Sequence, residues 1–127
     1  MTKKIMVVDD EAAIVTLLKA NFEAEDYQVV EAFDGASAIA KAMSEKPDVI
    51  ILDINMPAMT GLEVCAKLKE SVETKSIPII VLSAYAQSTD VEKSLACGAT
   101  AHMTKPFTLD AITAAVAQLL NPSKPVA

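Results

Sequence analysis

Three acidic side chains stand where two apolar segments of the sequence end. Asp9 and Asp10 follow Ile5–Val8, and Asp53 follows Val49–Leu52. Two ionised carboxylates 4 Å apart repel each other by about 4 kcal/mol at an effective dielectric constant near 20, so carboxylates gathered in one pocket need a cation. An oxygen-only ligand set favours Mg²⁺, which borrows one or two carboxylates and keeps several waters, over Zn²⁺, which prefers Cys and His.

A hydroxyl and an amine follow two further apolar segments. Ser83 comes directly after Ile79–Leu82, and Lys105 comes directly after Ala101–Thr104. Phosphoryl transfer requires that charge on the equatorial oxygens be neutralised while the attacking and leaving atoms stay in line. A cation, a hydroxyl donor and a lysine meet that requirement. Asp53 is then the natural nucleophile, because carboxylates form aspartyl phosphates in other transfer enzymes.

The apolar segments predict five strands, and amphipathic stretches between them predict helices. The helical spacing is seen, for example, in Ile14, Leu17, Leu18 and Phe22. Strands without alternation are typical of a parallel sheet that helices cover on both faces, and right-handed crossovers then give an open doubly wound α/β fold. In such folds ligands bind outside the carboxyl ends of the strands, so all the candidate residues should face one crevice. The predicted strands are Ile5–Val8, Gln28–Ala32, Val49–Leu52, Ile79–Leu82 and Ala101–Thr104.

Polar residues and glycine mark the predicted helix ends. Thr89 and Glu92 have the spacing of a capping box, Gly98 occupies the position of a left-handed C-terminal cap, and Thr108 can cap the last helix. We expect one folded domain over 1–121 and a short C-terminal tail over 122–127, since Pro122 lies at that boundary.

Composition narrows the class of protein. The 127-residue chain is 52% hydrophobic and 22% charged, which predicts one globular domain. Its net charge is −6 and it has no arginine, which argues against direct nucleic acid binding. No apolar run approaches the roughly 20 residues of a membrane span, and the N-terminus lacks a signal-peptide layout, so we expect a cytoplasmic protein. The only cysteines, Cys65 and Cys97, are expected to be buried thiols.

The sequence resembles the receiver domains of two-component signalling from Lys4 to Leu120. This resemblance implies a flavodoxin-like (βα)5 sandwich with a five-stranded parallel sheet of order 2-1-3-4-5. It depends on several short motifs together, none of which is specific alone. The motifs are Val8-Asp9-Asp10-Glu11, Leu52-Asp53-Ile54-Asn55-Met56-Pro57, Gly61, Leu82-Ser83-Ala84 and Lys105-Pro106-Phe107.

The resemblance also implies a role for each candidate site residue. Asp53 would be the phosphoacceptor, and Mg²⁺ would be held by Asp10, Asp53 and the backbone carbonyl of Asn55, with Asp9 reaching it through water. Lys105 and Ser83 would contact the phosphoryl group. Asn55 and Tyr85 stand at the two positions that tune phosphate lifetime in the family.

His102 departs from the family pattern. Three residues before the lysine, receivers usually carry Tyr or Phe, whose ring turns inward when the serine or threonine hydroxyl moves to the phosphate. We hypothesise that Ser83 and His102 form the corresponding switch, with His102 a smaller rotamer switch that is sensitive to protonation. The alternative is a histidine that is merely packed or exposed.

By resemblance the protein would take a phosphoryl group from a phosphohistidine of a sensor histidine kinase or histidine phosphotransferase. It would catalyse its own phosphorylation and slow autodephosphorylation without being a conventional enzyme. As a single-domain regulator, a monomer or weak dimer, it would act on a downstream protein target through the fourth helix, fifth strand and fifth helix, roughly Asp90–Leu120. We expect no membrane partner.

Two other functions start from the same residues. Haloacid-dehalogenase-type phosphatases also use an aspartate nucleophile with Mg²⁺, but they require a second aspartate two residues later, where this chain has Asn55. A non-phosphorylated binding module of the same fold usually loses the lysine or an acid, and this chain keeps them. Asp9-Asp10 taken alone would also suit the start of a helix, where acids are favoured.

Overall fold

The computed structural model of the chain describes residues 3–54, 56, 59–83, 98–104 and 107–120. Over these ranges, strands and helices alternate as the sequence predicts. The strands are β1 (Lys4–Val8), β2 (Gln28–Ala32), β3 (Val49–Asp53), β4 (Ile79–Ser83) and β5 (Ala101–Thr104). The helices are α1 (Ala12–Ala24), α2 (Gly35–Glu45), α3 (Gly61–Glu70) and α4 (Leu109–Leu120). Our α4 is therefore the last of the five predicted helices, and the predicted helix between β4 and β5 lies outside the described residues.

The five strands form one parallel sheet of order β2-β1-β3-β4-β5. This arrangement confirms the predicted doubly wound fold and strand order. The order reverses between β1 and β3, because the chain leaves β1 toward β2 and returns to the other side of β1 for β3. In doubly wound sheets, the loops on the two sides of such a reversal diverge and leave a crevice, which here corresponds to the carboxyl ends of β1 and β3.

The two faces of the sheet carry separate apolar cores. Met6, Ile50 and Val81 pack with residues of α2 and α3, whereas Val7, Ile51 and Leu82 pack with residues of α1 and α4. Successive residues of a strand point to opposite faces, so strands covered on both sides are apolar throughout. This burial explains why β1, β3 and β4 show no polar alternation in sequence.

Strand pairing extends one residue further than the sequence predicted at the ends of β3 and β4. Asp53 is the last residue of β3 and pairs with Leu82, and Ser83 is the last residue of β4 and pairs with Thr104. The sequence prediction placed Asp53 and Ser83 just after the strands, because polar residues usually mark a strand's end. Their inclusion in the ladder fixes their backbones more rigidly than a loop would.

Side-chain oxygens cap three of the helices. Asp34 Oδ1 accepts from Ser37 N at 2.7 Å, Thr60 Oγ1 accepts from Glu63 N, and Thr108 Oγ1 accepts from Ala111 N at 3.0 Å. The last of these confirms the predicted cap. Gly98 has a φ of +103°, the positive value that its predicted role requires.

Several other predictions fall on residues that the structure does not describe or describes in part. The capping box of Thr89 and Glu92 lies outside the described ranges, as do Cys97 and the tail 122–127. Cys65 is buried, as expected. Among the described residues, no helix combines the length and the apolar character needed to cross a membrane.

Candidate functional site

Asp9, Asp10 and Asp53 converge at the carboxyl ends of β1 and β3. Each carboxylate offers one oxygen, and these three oxygens lie within 4.8 Å of one another. Asp9 and Asp53 are each 1% exposed, whereas Asp10 is exposed. The structure thus brings together the three acids that the sequence placed in one crevice, with two of them withdrawn from water.

Asp9 serves the local backbone as well as the cluster. Its Oδ1 accepts a hydrogen bond from Glu11 N at 2.9 Å, at the point where α1 begins, and its own N–H donates to Ala32 O of β2 at 3.2 Å. An anion at a helix N-terminus is favoured by the exposed N–H groups there. The interpretation of Asp9 as a helix-start residue and its interpretation as a site residue are therefore compatible.

A close turn after β3 holds Asp53 in place. Ile54 N donates to Leu82 O at 2.9 Å, and Ile54 O accepts from both Met56 N and Gly61 N. A Cβ on Gly61 would lie 2.7 Å from Ile54 Cα and closer still to the carbonyl oxygen of Asp53. Only glycine allows the start of α3 to pack against the end of β3 in this way.

The buried acids make the cluster a good fit for a divalent cation. Two carboxylate charges at 4.8 Å repel each other by about 3–4 kcal/mol at an effective dielectric constant near 20, and neither Asp9 nor Asp53 has full access to water. Among the described residues, the donors at this position are oxygens. Such a set suits a hard cation such as Mg²⁺, with waters and a further oxygen ligand completing an octahedral shell.

Ser83 and His102 are in direct contact. Ser83 Oγ lies 2.8 Å from His102 Nε2, with Ser83 buried and His102 half-buried. The ladder explains the contact, because His102 pairs with Val81 and residues paired in a parallel ladder share a face of the sheet. Ser83 is two residues beyond Val81, so it lies on the same face and diagonally across from His102.

Three predicted site residues lie outside the described ranges. These are Asn55, Tyr85 and Lys105. Their assigned roles in metal binding, phosphate lifetime and phosphoryl contact stay predictions.

Sequence reasoning missed two features of the site. The sequence prediction included Gly61 only as part of a family motif, although its missing Cβ is what lets α3 approach Asp53. A glycine eight residues after the candidate nucleophile, inside the first turn of a helix where glycine has a low helix propensity, was the available signal. The sequence analysis also assigned Ser83 and His102 to one switch, but it did not predict the hydrogen bond between them. That bond depends on the register of β4 and β5.

The fold and the acidic cluster together define an α/β protein whose three acids, suited to hold a cation, lie at the topological switch point of its sheet. The family model of the response regulator receiver domain matches residues 5–117. The chain therefore belongs to the response regulator receiver domain family.

Individual relatives agree with this assignment. The chain is 44% identical over 124 residues to the alkaline phosphatase synthesis transcriptional regulatory protein PhoP of Bacillus subtilis, covering 98% of this chain and 51% of that protein. It is 36% identical over 120 residues to sporulation initiation phosphotransferase F of the same organism, covering 94% and 95% of the two chains. The chain thus spans about half the length of the first relative and nearly all of the second.

Solved structures show the same fold. The chemotaxis protein CheY4 of Vibrio cholerae superposes with a TM-score of 0.90 at 32% identity, covering 94% of this chain and 100% of that one. A CheY-like receiver domain from Methanospirillum hungatei superposes with a TM-score of 0.90 at 28% identity, covering 96% of each chain. The fold and the two-component receiver class are thereby established.

Proposed function

We propose that this receiver domain accepts a phosphoryl group on Asp53 in a reaction that requires Mg²⁺. The observation that carries the proposal is the convergence of three carboxylate oxygens within 4.8 Å at the ends of β1 and β3, with Asp9 and Asp53 almost fully buried. Withdrawing charged carboxylates from water is costly, so two buried acids and a third beside them in this crevice call for a function.

Asp53 is the nucleophile. Its backbone is the last rung of β3, and the turn through Ile54 and Gly61 holds that rung against α3. A carboxylate on such a fixed backbone can attack the phosphorus in line while the donor's leaving group departs on the opposite side. Fixing the attacking oxygen in this way lowers the entropic part of the barrier.

Asp10, Asp53 and the backbone carbonyl of Asn55 would hold the metal, and Asp9 would reach it through water, as the resemblance assigns. When bound, Mg²⁺ supplies positive charge next to the phosphoryl oxygens and offsets the repulsion among the carboxylates. Ser83 donates a hydrogen bond to the transferred group, and Lys105 adds a compact positive charge. Ser83 and His102 act as the switch, and Asn55 and Tyr85 tune how long the phosphate survives.

The donor is a phosphohistidine of a sensor histidine kinase or histidine phosphotransferase. One relative, 36% identical along almost its whole length, bears the name of a phosphotransferase. That relative supports phosphoryl transfer as the chemistry, with slow autodephosphorylation completing the cycle. Phosphorylation then alters protein contacts on the surface of the segment Asp90–Leu120. The expected domain bounds of 1–121, the monomeric or weakly dimeric state and the cytoplasmic location stay predictions.

Intact-mass measurement after incubation with acetyl phosphate and Mg²⁺ tests the proposal. The wild-type protein should gain one phosphoryl group, and the gain should disappear with EDTA and in Asp53→Ala. Asp34→Asn, which keeps an oxygen to cap α2 and lies outside the acid cluster, is the matched control and should be labelled normally. An absent adduct, or one that survives in Asp53→Ala, would rule the proposal out.

A further inference from the structure

The two atoms that join Ser83 and His102 are compatible with either direction of hydrogen bond. Ser83 Oγ and His102 Nε2 lie 2.8 Å apart. A serine hydroxyl has one proton to donate, and a neutral imidazole has one N–H and one bare nitrogen. Either the hydroxyl donates to a bare Nε2, or an Nε2–H donates to the hydroxyl oxygen. The direction depends on what else competes for the hydroxyl proton.

Between these two groups, basicity favours one direction of the hydrogen bond when no phosphoryl group is present. An imidazole nitrogen is more basic than a hydroxyl oxygen, so a serine donating to histidine is the better arrangement of the neutral pair. Ser83 is only 2% exposed, which limits competition from solvent for its proton. In that arrangement, the hydrogen of a neutral His102 ring resides on Nδ1.

A phosphoryl group on Asp53 introduces a stronger acceptor beside Ser83. Asp53 and Ser83 end adjacent strands, since Asp53 pairs with Leu82, the residue before Ser83. Hydrogen bonds to an anionic oxygen are stronger than those to a neutral acceptor. One hydroxyl proton cannot serve both the phosphoryl oxygen and Nε2, so the contact with His102 survives only if Nε2 itself carries a hydrogen.

We propose that phosphorylation reverses the Ser83–His102 hydrogen bond, so that Ser83 turns its proton to the phosphoryl group and His102 Nε2–H donates to Ser83 Oγ. This inference rests on the proposed phosphorylation of Asp53 and on the contact of Ser83 with the phosphoryl group. The proton count balances through solvent, because Nδ1 releases one proton to water and Nε2 takes one from water. The half-buried position of His102 gives its ring access to that exchange.

His102 acts in this scheme as a positioning residue. It touches Ser83 rather than the reacting atoms, and it sets which way the hydroxyl points. The scheme needs no rotation of the ring, in contrast to the rotamer switch expected from the sequence. An aromatic residue at this position can fill space, but histidine can also exchange the roles of donor and acceptor at one nitrogen.

¹⁵N NMR of the imidazole tests the inference directly, because His102 is the only histidine in the sequence and its signals need no further assignment. A ring nitrogen that carries hydrogen resonates well upfield of a bare one, so a ¹H–¹⁵N correlation spectrum identifies the tautomer without assignment ambiguity. Spectra are recorded at pH about 8.5, two units above the ordinary histidine value of about 6.5, to keep a typical ring neutral. The samples contain Mg²⁺ with or without excess acetyl phosphate, and intact mass is measured on the same tubes.

The expected result is a bare Nε2 before phosphorylation and a hydrogen-bearing Nε2 after it. In Ser83→Ala the tautomer should not respond to phosphorylation, and in Ser83→Thr, which keeps the hydroxyl, the response should return. Both variants experience the electric field of the phosphate. The alanine variant therefore separates the effect of the Ser83 hydroxyl from the effect of that field.

An unchanged tautomer in a sample that carries the phosphoryl adduct would overturn the inference and leave the proposed function standing. A change of equal size in Ser83→Ala would overturn it too, because the field alone would then suffice. Absence of the adduct in wild-type protein would instead overturn the proposed function and, with it, the inference.

Discussion

Gly61 N donates a hydrogen bond to Ile54 O at 3.0 Å, which ties the first residue of α3 to the residue that follows Asp53. The same approach leaves no room for a Cβ on Gly61, whose nearest neighbours would be backbone atoms of Asp53 and Ile54. Backbone atoms at the end of a central strand cannot move aside as a flexible side chain can. The geometry of the phosphoacceptor therefore depends on a residue that has no side chain.

Gly61→Ala should lower both stability and reactivity. Helix propensity alone predicts that alanine stabilises a helix by up to about 1 kcal/mol, whereas overpacking costs about 1–3 kcal/mol. We expect overpacking to win, and displacement of Asp53 to slow labelling by acetyl phosphate about tenfold or more. Urea unfolding measures the first effect and the initial rate of mass gain measures the second.

Gly35→Ala is the control for this substitution. A Cβ on Gly35 would meet the side chain of Met59 rather than backbone, so the surrounding atoms can yield at lower cost. Its labelling rate should stay near that of wild type. If Gly61→Ala proves as stable and as reactive as wild type, the close approach does not position Asp53.

The hydrogen bond between Ser83 and His102 should appear as a coupling energy in a double-mutant cycle. Ser83→Ala, His102→Leu and the double variant are unfolded in urea without phosphodonor. A buried hydrogen bond contributes about 0.5–1.5 kcal/mol, and the cycle isolates that share from the packing changes of each substitution.

A second cycle, which pairs Ser83→Ala with Thr74→Val, is the control. Its two substitutions should be additive, because Thr74 lies before the start of β4 and Ser83 lies at its end. Additivity in the first cycle would mean that the hydrogen bond between Ser83 and His102 contributes nothing to the stability of the unphosphorylated protein.

Thr74 is buried, and its hydroxyl donates to Leu68 O in the last turn of α3 at 2.6 Å. Thr74→Val keeps the shape but removes the donor, which leaves a carbonyl at the helix end without this partner. We expect a loss of about 1–2 kcal/mol in the free energy of unfolding, with unchanged labelling of Asp53. Thr16→Val, at an exposed position of α1, should change stability by no more than about 0.5 kcal/mol. Equal effects of the two substitutions would argue against the capping role of Thr74.

The sheet order and the position of the acids could be predicted from sequence for a physical reason. Apolar runs without alternation occur where both faces of a strand are covered, and polar residues at the ends of such runs must share the carboxyl edge of a parallel sheet. Asp9, Asp10 and Asp53 meet as that argument requires. Motif resemblance then supplied the strand order, which hydrophobic patterns alone do not specify.

Two kinds of contact were harder to predict: those that depend on strand register, and those that depend on the absence of a Cβ at a glycine. The bond between Ser83 and His102 requires that His102 pair with Val81, and a shift of one residue would send His102 to the other face. Nothing in the composition of β5 fixes that register. Likewise, the close approach at Gly61 follows from how α3 leaves the turn after β3, which is a property of tertiary packing.

Asp9→Asn should stabilise the protein without metal and weaken its response to Mg²⁺. Asparagine keeps the oxygen that accepts from Glu11 N, so the start of α1 is preserved, but it removes one of two buried charges within 4.8 Å of each other. Relief of that repulsion should raise the free energy of unfolding in EDTA by about 1–3 kcal/mol. A cation that binds only the folded state adds about 2.7 kcal/mol when its concentration is 100 times its dissociation constant. Wild type should gain such an increment from Mg²⁺, and Asp9→Asn should gain less.

Asp34→Asn is the matched control for this charge removal. Asp34 is exposed, caps α2 through an oxygen that asparagine also has, and lies outside the acid cluster. Its unfolding free energy should stay within about 0.5 kcal/mol of wild type in EDTA, and its gain from Mg²⁺ should equal that of wild type. Urea titrations of wild type, Asp9→Asn and Asp34→Asn, each with EDTA and with Mg²⁺, give all six values under one protocol.

Two outcomes would contradict the prediction for Asp9→Asn. A lower stability than wild type in EDTA would show that the acids do not repel one another strongly in the folded state. An undiminished gain in stability from Mg²⁺ would place the cation elsewhere.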